Sequence, residues 1–327
     1  MVGRTWTSLC LLAGSWTGAR GLGLEEHPDI KAISLRTHSL EPPYLDSDMQ
    51  SRWWDFGGDC IVRTDQYIRL ASDKASRDGW LFSRVPLTAT NWEVTVEFKI
   101  HGQGNLFGDG FAMWLTKQRS QSGPVFGSVD NFEGLGVFFD TYKNNRPGTV
   151  FPYIVAMNGD GKTPYDKDND GKANEVAGCS ARGIRNSQVP TKARFTYFQE
   201  QSLKLELQYK ADDEWTECFD VPGFKVPPVA YLGFSAETGE LSDNFDIISV
   251  KTQNLYKHNT GSNNAAAANS GKGSTTSSSS SDKLPKTESS GGGSWTWFFM
   301  KFVLFGLALT GAWVGNTIYR TRQRDRF

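Results

Sequence analysis

Glu93-Val94-Thr95-Val96-Glu97-Phe98-Lys99-Ile100 alternates polar and apolar residues without a break. Successive side chains of an extended strand point to opposite faces, so Val94, Val96, Phe98 and Ile100 share one face. A period of two excludes a helix and predicts a half-buried antiparallel strand. Leu203-Lys204-Leu205-Glu206-Leu207-Gln208-Tyr209 repeats the pattern. Phe111 to Thr116 and Leu135 to Phe139 are more uniformly apolar, which suits central strands covered on both faces. Turn signals stand at Asp78-Gly79, Asp109-Gly110, Asn158-Gly159, Asp160-Gly161 and Asp170-Gly171. Many short strands with no long amphipathic helix between them predict an all-β sandwich.

Outward from these strands, the apolar-rich segment runs from about His27 to Tyr256 and is large enough for one sizeable core. Residues 257–294 are mostly Asn, Ala, Ser, Thr, Gly and Lys, and Thr275 to Ser281 holds only Thr and Ser. Such a composition buries no apolar surface, so a disordered stalk is expected. It lacks heptads, which argues against a coiled coil. Phe302 to Tyr319 is an uncharged, mostly apolar run of 18 residues. With the residues leading into it, a transmembrane helix over 297–319 reaches the ~20 residues a bilayer requires. Trp295, Trp297 and Tyr319 bracket it at the headgroup levels, and Lys301 snorkels to an interface. The tail, residues 320–327, carries four arginines and one acid, which places it in the cytosol. At the other end, Arg4 precedes Leu9, Leu11, Leu12 and Ala13, with Thr17 and Ala19 beyond. This reads as a signal peptide over residues 1–23, cut between Ala19 and Gly23. The expected chain is therefore single-pass type I, with residues 27–256 in the lumen. A net charge of -1 gives no reason to expect nucleic-acid binding.

Of four cysteines, Cys10 leaves with the signal peptide, and Cys60, Cys179 and Cys218 remain. An oxidising lumen favours one disulfide, and Cys179–Cys218 is expected because both flank the later sandwich strands. Cys60 is left as a buried thiol or an intermolecular bridge.

In Phe139-Asp140-Thr141-Tyr142-Lys143-Asn144, an apolar strand ends in oxygen donors at every second position. Ca2+ takes about six to eight oxygens, and carboxylate, main-chain carbonyl and amide on one side of a loop supply several. Asp166-Lys167-Asp168-Asn169-Asp170-Gly171 adds three more carboxylates. Alone it resembles the start of an EF-hand loop, but the twelfth position holds Ala177 instead of a bidentate Glu, and no helices flank it.

These blocks sit in a larger order. Gly108-Asp109-Gly110-Phe111-Ala112-Met113-Trp114 precedes Gly123-Pro124-Val125-Phe126-Gly127-Ser128 and Gly134-Leu135-Gly136-Val137-Phe138-Phe139-Asp140. Then come Tyr165-Asp166 with Asn169-Asp170-Gly171, Ala177-Gly178-Cys179, and Thr238-Gly239-Glu240-Leu241-Ser242-Asp243-Asn244. In order and spacing they resemble the L-type (legume-like) lectin cargo receptors of the early secretory pathway, over roughly residues 35–256. Within that family the chain is most similar to the vesicular integral membrane protein lectins, which lack a long coiled-coil stalk, and to a fungal member among them. The resemblance implies a legume-lectin-like jelly-roll β-sandwich. It also implies binding of high-mannose N-glycans on glycoprotein cargo, for ER–Golgi transport or quality control.

Residue by residue, the resemblance makes Asp140, the Tyr142 carbonyl, Asn144 and Asp170 ligands of Ca2+. It makes Asp109, Asn144, Gly239, Glu240 and Leu241 the sugar contacts, with a cis peptide before Asp109. Two positions depart from the pattern. Lys167 stands where the animal members have a sugar-contacting histidine, and still supplies a hydrogen-bond donor. Trp80 stands where they have a serine, either stacked on a sugar or packed. Ligand carboxylates must be deprotonated, so metal and sugar affinity are expected to fall together at lower pH. Phe327 resembles the family's C-terminal aromatic signal for the COPII coat.

Enzyme readings fare poorly. A glycosidase needs paired carboxylates flanking the scissile bond, no Glu-x-Asp-x-x-Glu run occurs, and Glu97 and Glu133 read as solvated. His27, His38, His101 and His258 show no zinc or triad spacing. The alternative from another class is a luminal adaptor that uses the sandwich without sugar.

Overall fold

In the computed structural model, residues 30–257 are described, and they form fifteen strands with no helix longer than a three-residue 3-10 turn. The expected signal peptide, membrane span and tail, and nearly all of the expected stalk, lie outside the described residues. Among those described, no helix is long and apolar enough to cross a membrane.

Numbered in chain order, one sheet contains β1 (Ile30–Ser34), β3 (Ile61–Arg63), β4 (Tyr67–Ala71), β6 (Asn91–His101), β11 (Thr191–Phe198), β12 (Ser202–Gln208), β13 (Thr216–Pro222) and β15 (Asn244–Lys257). The other contains β2 (Trp54–Gly58), β5 (Arg77–Ser83), β7 (Gly110–Thr116), β8 (Glu133–Asp140), β9 (Tyr153–Asp160), β10 (Glu175–Ser180) and β14 (Tyr231–Thr238). The orders are β13-β12-β11-β6-β15-β4-β3, with β1 on the far end of β15, and β10-β9-β8-β7-β14-β5-β2. Every named pair is antiparallel.

The alternation in β6 does what its period requires. Val94, Val96, Phe98 and Ile100 are buried between the sheets, while Lys99 faces out. Phe98 meets Phe111 and Phe139 from the opposite sheet at ring-centroid distances of 4.9 and 5.3 Å. In β7, by contrast, every residue is buried. Its inward side chains Phe111, Met113 and Leu115 join the core between the sheets. Its outward ones, Ala112 and Trp114, join a second apolar cluster with Phe82, Phe126, Phe132, Phe138, Val155 and Tyr165. The segment from Val125 to Phe132 thus roofs the outer face of the seven-stranded sheet. Trp114 Nε1 donates to Ser235 Oγ (2.8 Å), whose hydroxyl donates to the Phe126 carbonyl (2.6 Å), fixing the roof to its floor.

Three of the five turn signals fall inside or at the start of strands. Asp78-Gly79 lies in β5, Asn158-Gly159 in β9, and Gly110 opens β7. At Gly79 and Gly159 a Cβ would run into the carbonyls of Leu70 and Phe132, so these glycines serve close approach between layers. The Cys179–Cys218 disulfide forms as expected, Cα atoms 5.3 Å apart, joining β10 of one sheet to β13 of the other. Cys60 is a free thiol, partly buried against the core, and burial pushes it up to about 12.

Candidate functional site

Register brings the site together. Gly110 of β7 pairs with Asp140 at the end of β8 on one side and with Glu237 near the end of β14 on the other. The ends of three neighbouring strands therefore present Asp140, Asp109 and Glu237 side by side. They line one cavity of roughly 210 Å3 with Pro124, Val125, Phe126, Tyr142, Asn144, Tyr165, Lys167 and Asp168. That is smaller than the ~300–1,000 Å3 of pockets for drug-sized ligands, and suits a single ring.

Asp140 is 4 % exposed, and its Oδ1 accepts from the Tyr142 amide at 3.0 Å. Asp170 is 1 % exposed and sits in the left-handed region (φ 54°, ψ 44°), which the short polar Asp side chain tolerates. This reverses the chain after the 3-10 turn Lys167–Asn169 and aims the carboxylate back at residue 144. Asp170 accepts from the Asn144 amide at 3.0 and 3.2 Å and from Asn144 Nδ2 at 2.8 Å. Burial, then the charge of Asp170, push the Asp140 carboxyl well above the usual range. The guanidinium of buried Arg146 is the cation behind them. It donates to the Asp170 carbonyl (3.1 Å), pairs with Glu175 and lies 4.3 Å over the Tyr153 ring. Tyr165 Oη, buried in the same cavity wall, has no hydrogen-bond partner.

These features fit a hard divalent cation. Two buried carboxylates, an amide and a main-chain carbonyl offer the oxygen chemistry that Ca2+ takes. Among the described residues no three His, Cys, Asp or Glu side chains converge as a metal cage. A cation here would have two carboxylates and otherwise neutral oxygens. Asn144 turns its Nδ2, not Oδ1, toward Asp170, so ligation requires its amide to rotate by half a turn. Of the three acids in 166–170, only Asp170 turns inward. Asp166 accepts from Asn169 Nδ2 at 2.9 and 3.1 Å, and Asp168 stays on the rim.

The peptide bond before Asp109 is cis. Its amide donates to the Glu237 carbonyl (3.2 Å), and its carbonyl accepts from the Thr141 amide and hydroxyl (both 2.9 Å). The carboxyl is pushed up by burial and by Glu237, and drawn back by Lys167. A Cβ on Gly239 would lie 3.1 Å from Asp109 Oδ2, so any larger residue there would press that carboxylate back by a few tenths of an ångström. Leu241 packs beside Gly108, Glu240 is exposed, and neither lines the cavity. Trp80 packs over Gly57 and beside Phe82 (6.3 Å between ring centroids), away from the cavity lining. Packing, not sugar stacking, is thus its role here.

Sequence reasoning passed over Arg146 and Glu237. Glu237 stands two before Gly239, at the end of the strand that leads into that loop, and that spacing was its signal. Arg146 stands two beyond Asn144, where an acidic cluster calls for a counter-charge.

The sequence profile of the legume-like lectin family matches residues 31–262. An L-type lectin-like domain-containing protein of Schizosaccharomyces pombe is 39% identical over 223 residues, 68% of this chain and 71% of that protein. The human VIP36-like protein is 44% identical over 248 residues, 74% of this chain and 70% of its own. Among solved structures, the VIP36 exoplasmic/lumenal domain in its Ca2+/Man-bound form is 41% identical, with a TM-score of 0.66 over 70% of this chain and 94% of that one. Its metal-free form matches with a TM-score of 0.64, at 42% identity over 69% and 93% of the two chains. The chain belongs to the legume-like lectin family.

Proposed function

We propose that this chain is a Ca2+-dependent lectin that binds mannose-rich N-glycans on glycoproteins passing between endoplasmic reticulum and Golgi. The observation that carries the reading is the juxtaposition at three strand ends. Asp140 and Asp109 line one cavity of one-ring size, and the buried carboxylate of Asp170 stands directly behind its wall, bonded to Asn144. The relatives support it: the VIP36 lumenal domain has been solved in Ca2+/Man-bound and Ca2+/Man3GlcNAc-bound forms.

In this reading Asp140, the Tyr142 carbonyl, Asn144 and Asp170 hold the metal, which when bound supplies the positive charge that draws the 140–144 and 166–171 loops into one arrangement. Asp109 accepts from sugar hydroxyls, Asn144 donates to the same ring, and Lys167 donates from the opposite wall. The 239–241 loop lies outside the cavity lining and contributes through Gly239, which packs against the Asp109 carboxylate. Arg146 holds the Asp170 loop from behind, and the Val125–Phe132 roof excludes water. Preorganisation matters because one sugar ring offers few contacts and tolerates little ordering cost.

The rest of the chain is read accordingly. Residues 1–23 are a cleaved signal, 257–294 a Ser/Gly/Asn-rich stalk and 297–319 the single membrane span, with 320–327 in the cytosol and Phe327 offered to the COPII coat. Retention of the detergent-solubilised full chain on mannose resin tests the reading. Retention in Ca2+, release by EDTA, and a tenfold to hundredfold loss (about what a charge-assisted hydrogen bond contributes) in Asp109→Asn are expected. No retention in Ca2+ would leave the non-sugar adaptor as the better account.

A further inference from the structure

Lys167 brings a flexible stem to the cavity, and a free lysine is a poor fixed donor. In this fold it is not free. Its Nζ lies 3.2 Å from the Pro124 carbonyl and 3.3 Å from Glu237 Oε1, so the side chain reaches from the 3-10 turn to both the roof loop and β14. An ammonium has three N–H donors. Two are directed to these protein acceptors, and one is left for whatever enters the cavity that both Lys167 and Glu237 line. Ordering a lysine upon a ligand costs rotamer freedom, and a tether made beforehand removes that cost from binding.

Glu237 is fixed from both sides. Its main chain pairs with Gly110 in β7 and Asp78 in β5, and its carbonyl accepts the Asp109 amide at 3.2 Å. Its carboxylate is 23 % exposed against 54 % for Lys167, making the acid the anchored partner and the lysine the arm.

We infer that Glu237 is a positioning residue of the mannose pocket, holding the Lys167 ammonium so that its remaining N–H donates to a sugar hydroxyl opposite Asp109. The inference rests on the lectin reading above and adds to it a residue pair that fixes the direction of an ammonium donor in the pocket.

Calorimetric titration of the detergent-solubilised full chain with methyl α-mannoside in saturating Ca2+ tests it, on Glu237→Gln, Lys167→Met and the double variant. Each single change is expected to weaken mannoside binding roughly two- to fivefold, the range of a partly exposed ion pair. The double variant is expected to bind no worse than Lys167→Met, because the acid acts only through the lysine. In EDTA the melting temperature of Glu237→Gln should stay within the few degrees that a partly exposed ion pair accounts for, and a merely structural role for Glu237 would lower it well beyond that. Unchanged binding by Glu237→Gln overturns the inference, as do losses that multiply in the double variant. Either result leaves the lectin reading standing, provided the unaltered chain binds. Absence of mannoside binding by the unaltered chain in Ca2+ overturns both. Should Glu237→Gln fail to fold, Glu237→Ser with Lys167→Met gives the same cycle.

Discussion

Asp246 and Asp140 are buried to nearly the same degree, 3 % and 4 % exposed, and keep opposite company. Asp246 on β15 accepts from Arg69 Nε and Nη2 at 2.7 and 2.9 Å, and hydrogen-bonds His101 Nε2 at 2.9 Å. Burial pushes its carboxyl up, but the bonds from Arg69 and His101 outweigh it and hold the group below the usual range. Asp140 faces Asp170, and burial and that second charge drive it the other way. A carboxylate that serves the fold is folded together with its cation. One that serves a ligand is folded without it, at a cost in stability the fold elsewhere offsets.

The contrast breaks most readily at Arg69. Arg69→Met leaves Asp246 buried beside His101 alone, and is expected to destabilise the sandwich domain by about 3–5 kcal/mol in urea unfolding. Asp140→Asn, unfolded in EDTA, is expected to stay within about 1 kcal/mol of the unaltered domain or to gain, since it removes half of a repelling pair. Equal losses in the two variants would mean that Asp140 is a structural acid like Asp246.

Ca2+ sharpens the comparison from the other side. A ligand at about 100 times its Kd adds ~2.7 kcal/mol to stability. For a domain of this size that is a rise in Tm of about 5–10 °C. Differential scanning calorimetry should show that rise in the unaltered domain and not in Asp170→Asn, with the two melting alike in EDTA. A Ca2+-induced rise that survives Asp170→Asn would place the cation elsewhere.

How much of this stood in the sequence follows from what is local. The period of two in 94–100 and 203–209, the apolar runs at 111–116 and 135–139 and the Cys179–Cys218 pair were legible, because strand faces and flanking positions are properties of neighbours in the chain. Resemblance supplied Asp109, Asp140, Asn144 and Asp170, which the structure brings to one cavity wall or directly behind it. What stayed illegible depends on register and side-chain direction. Glu237 matters because it pairs with Gly110 across β14 and β7. Among Asp166, Asp168 and Asp170, composition could not say which turns inward, since the left-handed φ of Asp170 decides it. Gly79 and Gly159 read as turns because the carbonyls pressing on them come from distant segments.

His38 completes the comparison as a third way to bury a titratable group, by keeping it neutral. It is 4 % exposed, with Nδ1 2.9 Å from the Thr37 hydroxyl and Nε2 3.1 Å from the Val85 carbonyl. A carbonyl only accepts, so Nε2 carries the proton and Nδ1 accepts from Thr37; both nitrogens are satisfied without charge. Burial lowers its pKa, against the opposing pull of the Val85 and Pro86 main chain. Below about 6.5 the unfolded chain takes a proton that the folded one refuses. Stability from this group is therefore full above that value and falls as pH drops toward the lowered folded pKa. Asp246 gives no such loss there, because its depressed carboxyl stays ionised until far lower pH. His38→Gln, which keeps a donor for the Val85 carbonyl and cannot titrate, should flatten the difference in urea stability between pH 7.5 and 5.5. An unchanged slope in that variant would assign the acid sensitivity to another group.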